Sequence, residues 1–221
     1  MKVSFSACED LHLHLQDGEI CCLPTDTTWG LTCDATNINA VIKLFYLKKR
    51  LHDKSVPIFA PSVEVAAKHF EISTLAERLI HRYWPGKLTL LLPRRQTNPA
   101  AIDYIHTSII SSEEKVAVRI PNSSRALKSM KENMLIVGTS ANLSGATPAT
   151  SLKDLKKQIT LHHHIGDNMN VHYHTLDEEL VVHGIPSTIL DITNDKNPIL
   201  IREGIIKYDE VMSYIKQCGL L

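Results

Sequence analysis

The sequence lacks an excess of charge of either sign. Its 221 residues carry 24 lysines and arginines against 24 aspartates and glutamates, so the formal net charge is zero. A neutral chain offers no whole-protein attraction to RNA or to an anionic membrane. Any phosphate binding by this chain must therefore be local.

Long apolar runs and paired cysteines are also missing. No stretch reaches the roughly 18 consecutive apolar residues that a membrane span needs, and acidic Glu9 and Asp10 argue against a signal peptide. The cysteines are odd in number, show no metal-ligand spacing and mostly have apolar neighbours. They are Cys8, Cys21, Cys22, Cys33 and Cys218. We expect reduced thiols in a cytoplasmic protein that binds no membrane.

The composition is that of a folded globular protein, with 43% apolar and 22% charged residues. Patterns typical of strands and helices alternate, and several short strands near the end favour a mixed sheet. Predicted strands are 19–24, 28–33, 56–60, 88–92, 116–120, 135–138, 180–182, 188–192 and 199–201. Predicted helices are one ending near residue 49 behind an Asn37 or Asn39 cap, then 63–70, 74–83, 123–131 and 208–217. We predict one α/β domain over residues 1–221.

The chain carries neither a Gly-x-x-x-x-Gly-Lys-Ser/Thr loop nor a Gly-x-Gly-x-x-Gly fingerprint, so a nucleotide would have to be held by other groups. Two segments offer donors: the basic run Lys48, Lys49, Arg50 and Lys54, and the loop at residues 140–145. Each has a simpler explanation by itself. Cations at a helix C-terminus complement the helix dipole, and a Ser/Asn/Gly stretch is commonly a turn.

Taken with the phrases around them, these segments resemble the YrdC-like (TsaC-type) threonylcarbamoyl-AMP synthases in their short, single-domain form. Seven motifs occur in the family's order between residues 24 and 204. They are Pro24-Thr25-Asp26-Thr27-Thr28-Trp29-Gly30-Leu31; Leu47-Lys48-Lys49-Arg50 with Asp53-Lys54; Trp84-Pro85-Gly86 with Leu88-Thr89; Val116-Ala117-Val118-Arg119-Ile120-Pro121; Ser140-Ala141-Asn142-Leu143-Ser144-Gly145; Pro186-Ser187-Thr188; and Ile201-Arg202-Glu203-Gly204. Seven ordered motifs are far more specific than any one of them.

The resemblance implies a YrdC-like α/β fold, a twisted mixed β-sheet flanked by helices around a basic concave site. Carried over by motif, the ATP-binding residues would be Lys48, Arg50, Lys54, Asn142, Thr150 and Arg202. The threonine-binding residues would be Thr27, Arg119, Ser140 and Ser187. The catalytic set would be Lys48, Arg50, Ser140 and Asn142. The guanidinium of Arg119 offers a fork suited to a carboxylate, and the hydroxyls suit a small polar amino acid.

The resemblance further implies formation of threonylcarbamoyl-AMP from ATP, L-threonine and bicarbonate, with release of pyrophosphate. This reaction is a step in the N6-threonylcarbamoyladenosine (t6A) modification of tRNA, so tRNA and a downstream threonylcarbamoyl transferase complex are candidate partners. Mg²⁺ would enter with ATP, coordinated by phosphate and water rather than by protein side chains. No protein nucleophile is needed.

The chain departs from the family pattern at four positions. Asp26 replaces the usual Glu, Trp29 the usual Tyr, Leu51 a frequent Pro, and Phe59 stands where some members have a His near threonine. The first two changes keep the charge or the aromatic character.

A His-rich segment at residues 161–174 has no counterpart in the family pattern. Its members are His162, His163, His164, His172 and His174. Adjacent histidines rarely point at one ion and no Cys or carboxylate frame surrounds them, so an exposed surface insertion is the favoured interpretation over a metal site.

Three other residues have competing explanations. Cys21 and Cys22 are predicted to fill the core rather than to form a redox pair, because neighbouring strand residues face opposite sides. Trp84 is predicted to be a packing anchor rather than an adenine-stacking ring.

Two alternative functions remain. One is an RNA-binding module of the same fold without catalysis, against which the neutral net charge weighs. The other is a paralogous carbamoyl or acyl adenylate former with another substrate. Pyrophosphate release that depends on threonine would separate all three.

Overall fold

The structure is a computed structural model that describes residues 2–6, 8–49, 56–95, 115–131, 134–142, 145–151, 153–154, 157, 170–174 and 182–220. Two predicted site residues, Arg50 and Lys54, lie outside the described residues. Residues 161–169 of the His-rich segment and residues 180–181 of one predicted strand lie outside them as well.

The described residues form one mixed sheet of ten strands with helices on both faces. The strands are β1 (Lys2–Ser6), β2 (Ile20–Pro24), β3 (Trp29–Asp34), β4 (Ile58–Phe59), β5 (Leu88–Pro93), β6 (Lys115–Arg119), β7 (Ile136–Ser140), β8 (Asn170–His174), β9 (Thr188–Asp191) and β10 (Ile199–Arg202). Their order across the sheet is β1-β8-β2-β3-β7-β4-β6-β5-β9-β10. The helices are α1 (Cys8–Gln16), α2 (Ile38–Lys48), α3 (Val63–His69), α4 (Thr74–Tyr83), α5 (Ser124–Lys128) and α6 (Tyr208–Gln217). The predicted fold class is confirmed.

Local side-chain bonds determine where the helices begin. Helix α2 starts after Asn37, whose side chain accepts a 3.1 Å hydrogen bond from the backbone N–H of Ala40. Of the two predicted caps, Asn37 is therefore the one used. The helix ends at Lys49, which adopts the left-handed conformation with φ 49°. Ser73 caps α4 in the same way, through a 3.1 Å bond from Ala76.

The sheet separates two hydrophobic clusters. The larger one packs α2, α3, α4 and α6 against one face, and the smaller one packs α1 and α5 against the other. Cys21 and Cys22 of β2 belong to different clusters, because adjacent strand residues point to opposite faces. Burial raises the pKa of both thiols, so both are neutral core residues, as predicted.

Trp84 is also a packing residue. Its ring lies in the larger cluster, and its indole N–H donates a 2.7 Å bond to the carbonyl oxygen of Leu88.

The N-terminal elements and β8 were not predicted, and β8 corrects the interpretation of the His-rich segment. Residues 170–174 are not part of a surface insertion: they form a strand between β1 and β2, paired with both in parallel. His172 is buried in this strand. A five-residue strand with two histidines has little apolar signal, although pairing on both sides satisfies its backbone.

Two further predicted elements differ from the structure. The helix expected over 123–131 is shorter, Ser124–Lys128, and ends at Ser129. Val182, the described residue of the strand expected over 180–182, is not part of a strand. Among the described residues, no helix has the length and apolar character to cross a bilayer.

Candidate active site

A concave cavity lies on the face of the sheet that α1 and α5 cover only in part. Its lining is made of hydroxyls, glycines, two guanidinium groups and a few apolar residues: Thr25, Thr27, Thr28, Gly30, Pro57, Phe59, Thr89, Arg119, Gly138, Thr139, Ser140, Pro186, Ser187, Ile189 and Arg202. All four residues predicted to bind threonine line this cavity. They come from four separate stretches of chain that only the strand order brings together.

Phe59 and Gly138 form the floor of the cavity. A Cβ atom at Gly138 would lie 2.4 Å from atoms of the Phe59 ring, so only glycine lets the ring lie flat across β7. Phe59 lines the cavity at the position where some family members have a histidine. The floor is therefore apolar in this chain.

The loop between β2 and β3 forms one wall and is ordered by its own hydroxyl groups. Thr25 accepts 3.2 Å bonds from the backbone N–H groups of Thr27 and Thr28, and donates a 2.7 Å bond to the Thr28 carbonyl oxygen. These bonds fix a tight turn of the kind Ser and Thr favour. The turn holds the Thr27 side chain at the cavity.

Arg119, at the end of β6, holds this loop from below. Its Nε donates a 2.7 Å bond to the carbonyl oxygen of Gly86, and its other N–H groups donate to Thr27 Oγ1, at 2.9 Å, and to the Asp26 carboxylate. The side chain is only 4% exposed. Burial lowers the pKa of Arg119, and the adjacent Asp26 carboxylate acts in the opposite direction.

One of the two terminal nitrogens of Arg119 therefore already binds a carboxylate, that of Asp26, and the other binds Thr27. In the structure the guanidinium joins the loop to β6, and the assignment of Arg119 to the substrate stays a prediction. The Arg119 guanidinium also lies 5.6 Å from the centre of the Phe59 ring, within cation–π range. It lines the cavity as a charged wall whose position is fixed on three sides.

Ser187 and Arg202 form the opposite wall. The Arg202 guanidinium donates to the Ser187 carbonyl oxygen at 2.8 and 3.2 Å, and to its hydroxyl at 3.4 Å. The Ser187 hydroxyl lies 2.8 Å from that of Thr89. Arg202 was predicted to lie near ATP, and the structure places it in the same cavity as the predicted threonine-binding hydroxyls.

Lys48 lies beneath the loop that follows β7 rather than in the cavity. Its side chain is buried, and its ammonium donates to the carbonyl oxygens of Ser140 and Asn142, the latter at 2.7 Å. The predicted contact of Lys48 with phosphate stays a prediction. The ammonium group fixes the backbone of the loop that presents the Ser140 side chain to the cavity.

Asn142 and Thr150 are close to this loop but do not line the cavity. The Asn142 amide donates to the carbonyl oxygen of Ala146, which closes the loop on itself. Thr150 accepts a 3.1 Å bond from the N–H of Val182, and Gly184 in turn donates to the Thr27 carbonyl oxygen at 3.0 Å. The segment with Val182 and Gly184 thereby links Thr150 to the loop that carries Thr27.

Sequence reasoning missed Thr25, Thr28 and Thr89 as cavity residues. Thr89 had a readable signal, because it is the one polar residue in the apolar run 88–92 and faces away from the core side of Leu88 and Leu90. Thr25 and Thr28 belong to a motif that was recognised, but the direction of each side chain depends on the turn.

A second, more open cavity of about 410 Å³ adjoins the first and also includes Thr25 in its lining. It carries cationic and neutral donors, among them Lys87, Asn122, Arg125 and His183. Asp26 lines this cavity while Arg119 lines the first, so their ion pair separates the two.

Comparison with known proteins places the chain in a family. The family model for the Sua5/YciO/YrdC domain, described as "Telomere recombination", matches residues 14–204. The chain belongs to the Sua5/YciO/YrdC family. The resemblance inferred from the seven motifs is thus confirmed.

Two curated relatives of this Sua5/YciO/YrdC chain are named threonylcarbamoyl-AMP synthase. The one from Pyrococcus abyssi is 32% identical over 206 residues, 91% of this chain and 55% of the relative. The one from Wigglesworthia glossinidia brevipalpis is 30% identical over 194 residues, 86% of this chain and 90% of the relative. The chain therefore spans about half of one relative and most of the other.

Solved structures of the Sua5/YciO/YrdC family share the fold. P. abyssi Sua5 complexed with L-threonine superposes with a TM-score of 0.81 at 26% identity, over 97% of this chain and 61% of that one. E. coli YciO superposes with a TM-score of 0.75 at 15% identity, over 95% of this chain and 98% of that one. The second likeness supports the fold alone.

Proposed function

We propose that the chain forms threonylcarbamoyl-AMP from ATP, L-threonine and bicarbonate, with release of pyrophosphate. The observation that carries the proposal is the convergence of Thr27, Arg119, Ser140 and Ser187 on one cavity. Support comes also from relatives with this name and from the related structure that holds L-threonine.

The cavity suits a small polar amino acid. The hydroxyls of Thr27, Ser140 and Ser187 can each donate or accept, which matches an amine, a hydroxyl and a carboxylate on one ligand. The guanidinium groups of Arg119 and Arg202 make the cavity positive, which favours an anionic carbamate over a free ammonium. The floor formed by Phe59 offers an apolar surface to the methyl group of threonine.

The proposed chemistry has two steps. The neutral amine of threonine attacks the carbon of bicarbonate, a C–N bond forms, and water leaves to give the carbamate. A carbamate oxygen then attacks the α-phosphorus of ATP, and the bond between that phosphorus and the bridging oxygen breaks so that pyrophosphate leaves. No atom of the protein is covalently involved.

The protein's contribution would be position and charge. The Arg119–Asp26 pair and the Lys48 ammonium fix the two loops that carry Thr27 and Ser140, so their hydroxyls need not reorganise during the reaction. Arg202 brings a positive charge to the cavity, where the α-phosphate gains negative charge in the transition state. The predicted roles of Arg50, Lys54, Asn142 and Thr150 toward ATP belong to this proposal.

Mg²⁺ would arrive as part of the MgATP substrate. Among the described residues that line the cavity, none offers a carboxylate, an imidazole or a thiolate. Phosphate oxygens and water would then supply the ligands that this cation prefers. The product is an activated carbamoyl donor, which fits use on a tRNA adenosine by a downstream transferase in the cytoplasm.

The test is pyrophosphate release by the purified protein with MgATP and bicarbonate, with and without L-threonine, and with L-serine as the control amino acid. We expect release that requires both threonine and bicarbonate. No release from protein that still binds RNA would favour the binding-module alternative, and release with another amino acid would favour a paralogous adenylate former.

A pair of matched variants tests the site itself. Ser187→Ala removes a buried cavity hydroxyl, and Ser129→Ala removes a buried hydroxyl that donates to Arg125 on α5, away from the cavity. We expect kcat/KM for threonine to fall roughly tenfold or more in the first variant, as for loss of about 1.4 kcal/mol of binding, and to stay unchanged in the second. Equal effects would contradict the assignment of this cavity.

A further inference from the structure

A cluster of two histidines and a glutamate lies outside the cavity, at the far end of β2. His14 belongs to the last turn of α1, Glu19 to the turn before β2, and His172 to β8. Glu19 Oε2 lies 2.7 Å from His14 Nδ1 and 2.6 Å from His172 Nε2. The side chains are 28%, 25% and 8% exposed in the order His14, Glu19, His172, so the cluster opens to solvent on one side.

The backbone holds these three residues together independently of their side chains. The Glu19 N–H donates a 2.9 Å bond to the His14 carbonyl oxygen, which closes the turn between α1 and β2. His172 is paired with Cys21 in the sheet, and Cys21 packs against α1, so the imidazole lies on the α1 face. The turn between α1 and β2 and the distant strand β8 thus meet at one point.

We propose that His14 Nδ1, Glu19 Oε2 and His172 Nε2 form a binding site for a divalent transition-metal ion, with Zn²⁺ as the representative. Two imidazole nitrogens and one carboxylate oxygen are a ligand set that Zn²⁺ takes in proteins, with water or a further ligand in the fourth position. Mg²⁺ and Ca²⁺ prefer oxygen ligands alone and fit this set poorly.

The spacing of the ligand atoms agrees with such an ion. All three lie within 4.8 Å of one another. Bonds of roughly 2.0–2.1 Å at a tetrahedral ion separate the ligand atoms by about 3.3 Å, so the carboxylate oxygen must move away from each imidazole by well under 1 Å. A metal ion would then replace the protons that these groups share.

The imidazole rings of His14 and His172 are stacked, with centroids 3.5 Å apart and an angle of 15° between the planes. Parallel rings direct their nitrogen lone pairs alongside each other rather than at one point. Ion binding therefore requires rotation of the rings about χ2, a broad torsion in histidine. The backbone would keep its present position.

This interpretation corrects the sequence analysis at one point. Glu19 is about 150 positions from His172 in sequence, yet the parallel pairing of β8 with β2 brings its carboxylate against the imidazole. The ion would join α1, β2 and β8, and β2 leads directly into the Thr25 turn. None of the three proposed metal ligands lines the cavity. We therefore expect the ion to raise the stability of the fold by mass action without taking part in the reaction.

The test is titration of the metal-free, untagged full chain with Zn²⁺ at pH 7.5. We expect one equivalent to bind, a higher Tm, and visible absorption of a four-coordinate ion with Co²⁺. Removing a group that only hydrogen-bonds to a metal ligand typically weakens metal binding roughly 10- to 100-fold. Loss of a ligand should have at least this effect, so His14→Ala, Glu19→Gln and His172→Ala should each weaken Zn²⁺ binding by roughly tenfold or more.

Two controls address the other histidines of the chain. His81→Ala changes an exposed histidine on α4 and should leave the affinity unchanged. A variant with His162, His163 and His164 all changed to Ala should also keep it. If His172→Ala fails to fold, the partly exposed His14 and Glu19 variants still decide the question.

Absence of Zn²⁺ binding by the unchanged protein would overturn the proposal. So would affinity that survives the His14 and Glu19 variants, or that disappears in the triple variant. These readouts do not involve pyrophosphate release, so they stand or fall separately from the proposed function.

Discussion

Loss of the Asp26 carboxylate should destabilise the protein strongly, because it leaves the buried charge of Arg119 uncompensated. The two side chains are 10% and 4% exposed and in direct contact. Breaking a buried pair by removal of one partner costs roughly 3–5 kcal/mol. In Asp26→Asn the amide oxygen still accepts a bond from the guanidinium, so we expect the loss in free energy of unfolding to lie at the lower end of this range, about 3 kcal/mol. For a chain of this size that loss lowers Tm by roughly 6–12 °C.

Urea unfolding of a double-mutant cycle measures this coupling. Asp26→Asn, Arg119→Met and the double variant are compared, and the double variant should lose less stability than the sum of the single losses, because it leaves no isolated charge. The matched control is Lys207→Met, which breaks an exposed pair with Glu203 at side-chain exposures of 71% and 42%. It should leave the free energy of unfolding nearly unchanged, because solvent screens an exposed pair.

Two outcomes would refute this reasoning. The first is a loss for Asp26→Asn no larger than that for Lys207→Met. The second is strict additivity in the cycle, which would show that the two buried groups do not depend on each other. Threonine affinity, measured by calorimetry on the variants that fold, should fall as well, since the pair orders the Thr27 turn.

Three further predictions concern the cavity and the sheet. Gly138→Ala sets a methyl group against the Phe59 ring, so it should cost roughly 1–3 kcal/mol in urea unfolding and reduce threonine-dependent pyrophosphate release; unchanged values for both would contradict the account of the floor. Lys48→Met leaves two loop carbonyls without their buried donor, so it should reduce the kcat of pyrophosphate release in protein that is still folded. A loss of stability in urea unfolding with an unchanged kcat would contradict the positioning role. Burial raises the pKa of Asp191, but bonds from Lys115 and from Thr193 outweigh it, and the net shift is downward. The stabilisation by this carboxylate is present above its unfolded pKa of about 3.9 and is lost as the pH falls through the lower folded pKa. The difference in free energy of unfolding between the unchanged protein and Asp191→Asn should therefore shrink between pH 7 and pH 3. A difference that is independent of pH would contradict this prediction.

Much of the local structure could be predicted from the sequence. The bounds of α4 and α6 agree with the predicted 74–83 and 208–217, because the apolar residues of each segment follow helical spacing. The segment of β5 was identified as a core strand because a short, nearly continuous apolar run is typical of a buried strand. These elements encode their structure within about ten residues of chain.

The missed elements lack such a local signal. Strand β8 contains two histidines in five residues, and it is a strand because β1 and β2 supply partners on both sides. The parallel pairing of β8 with β2 joins residues about 150 positions apart, and loop closure over such lengths leaves no trace in a short window.

The residue types of the candidate site were readable from the sequence as seven ordered motifs, but their arrangement was not. The sheet order β3-β7-β4-β6-β5-β9 brings Thr27, Ser140, Arg119 and Ser187 to one cavity, although 160 positions separate the first from the last. The same tertiary contacts decided that Arg119 binds Asp26 and that Lys48 lies under a loop. The sequence by itself determined which chemical groups and which elements are present, because periodicity and caps act locally. Only the tertiary structure decided which of these groups meet, because long-range strand pairing and burial choose the partners of each charge.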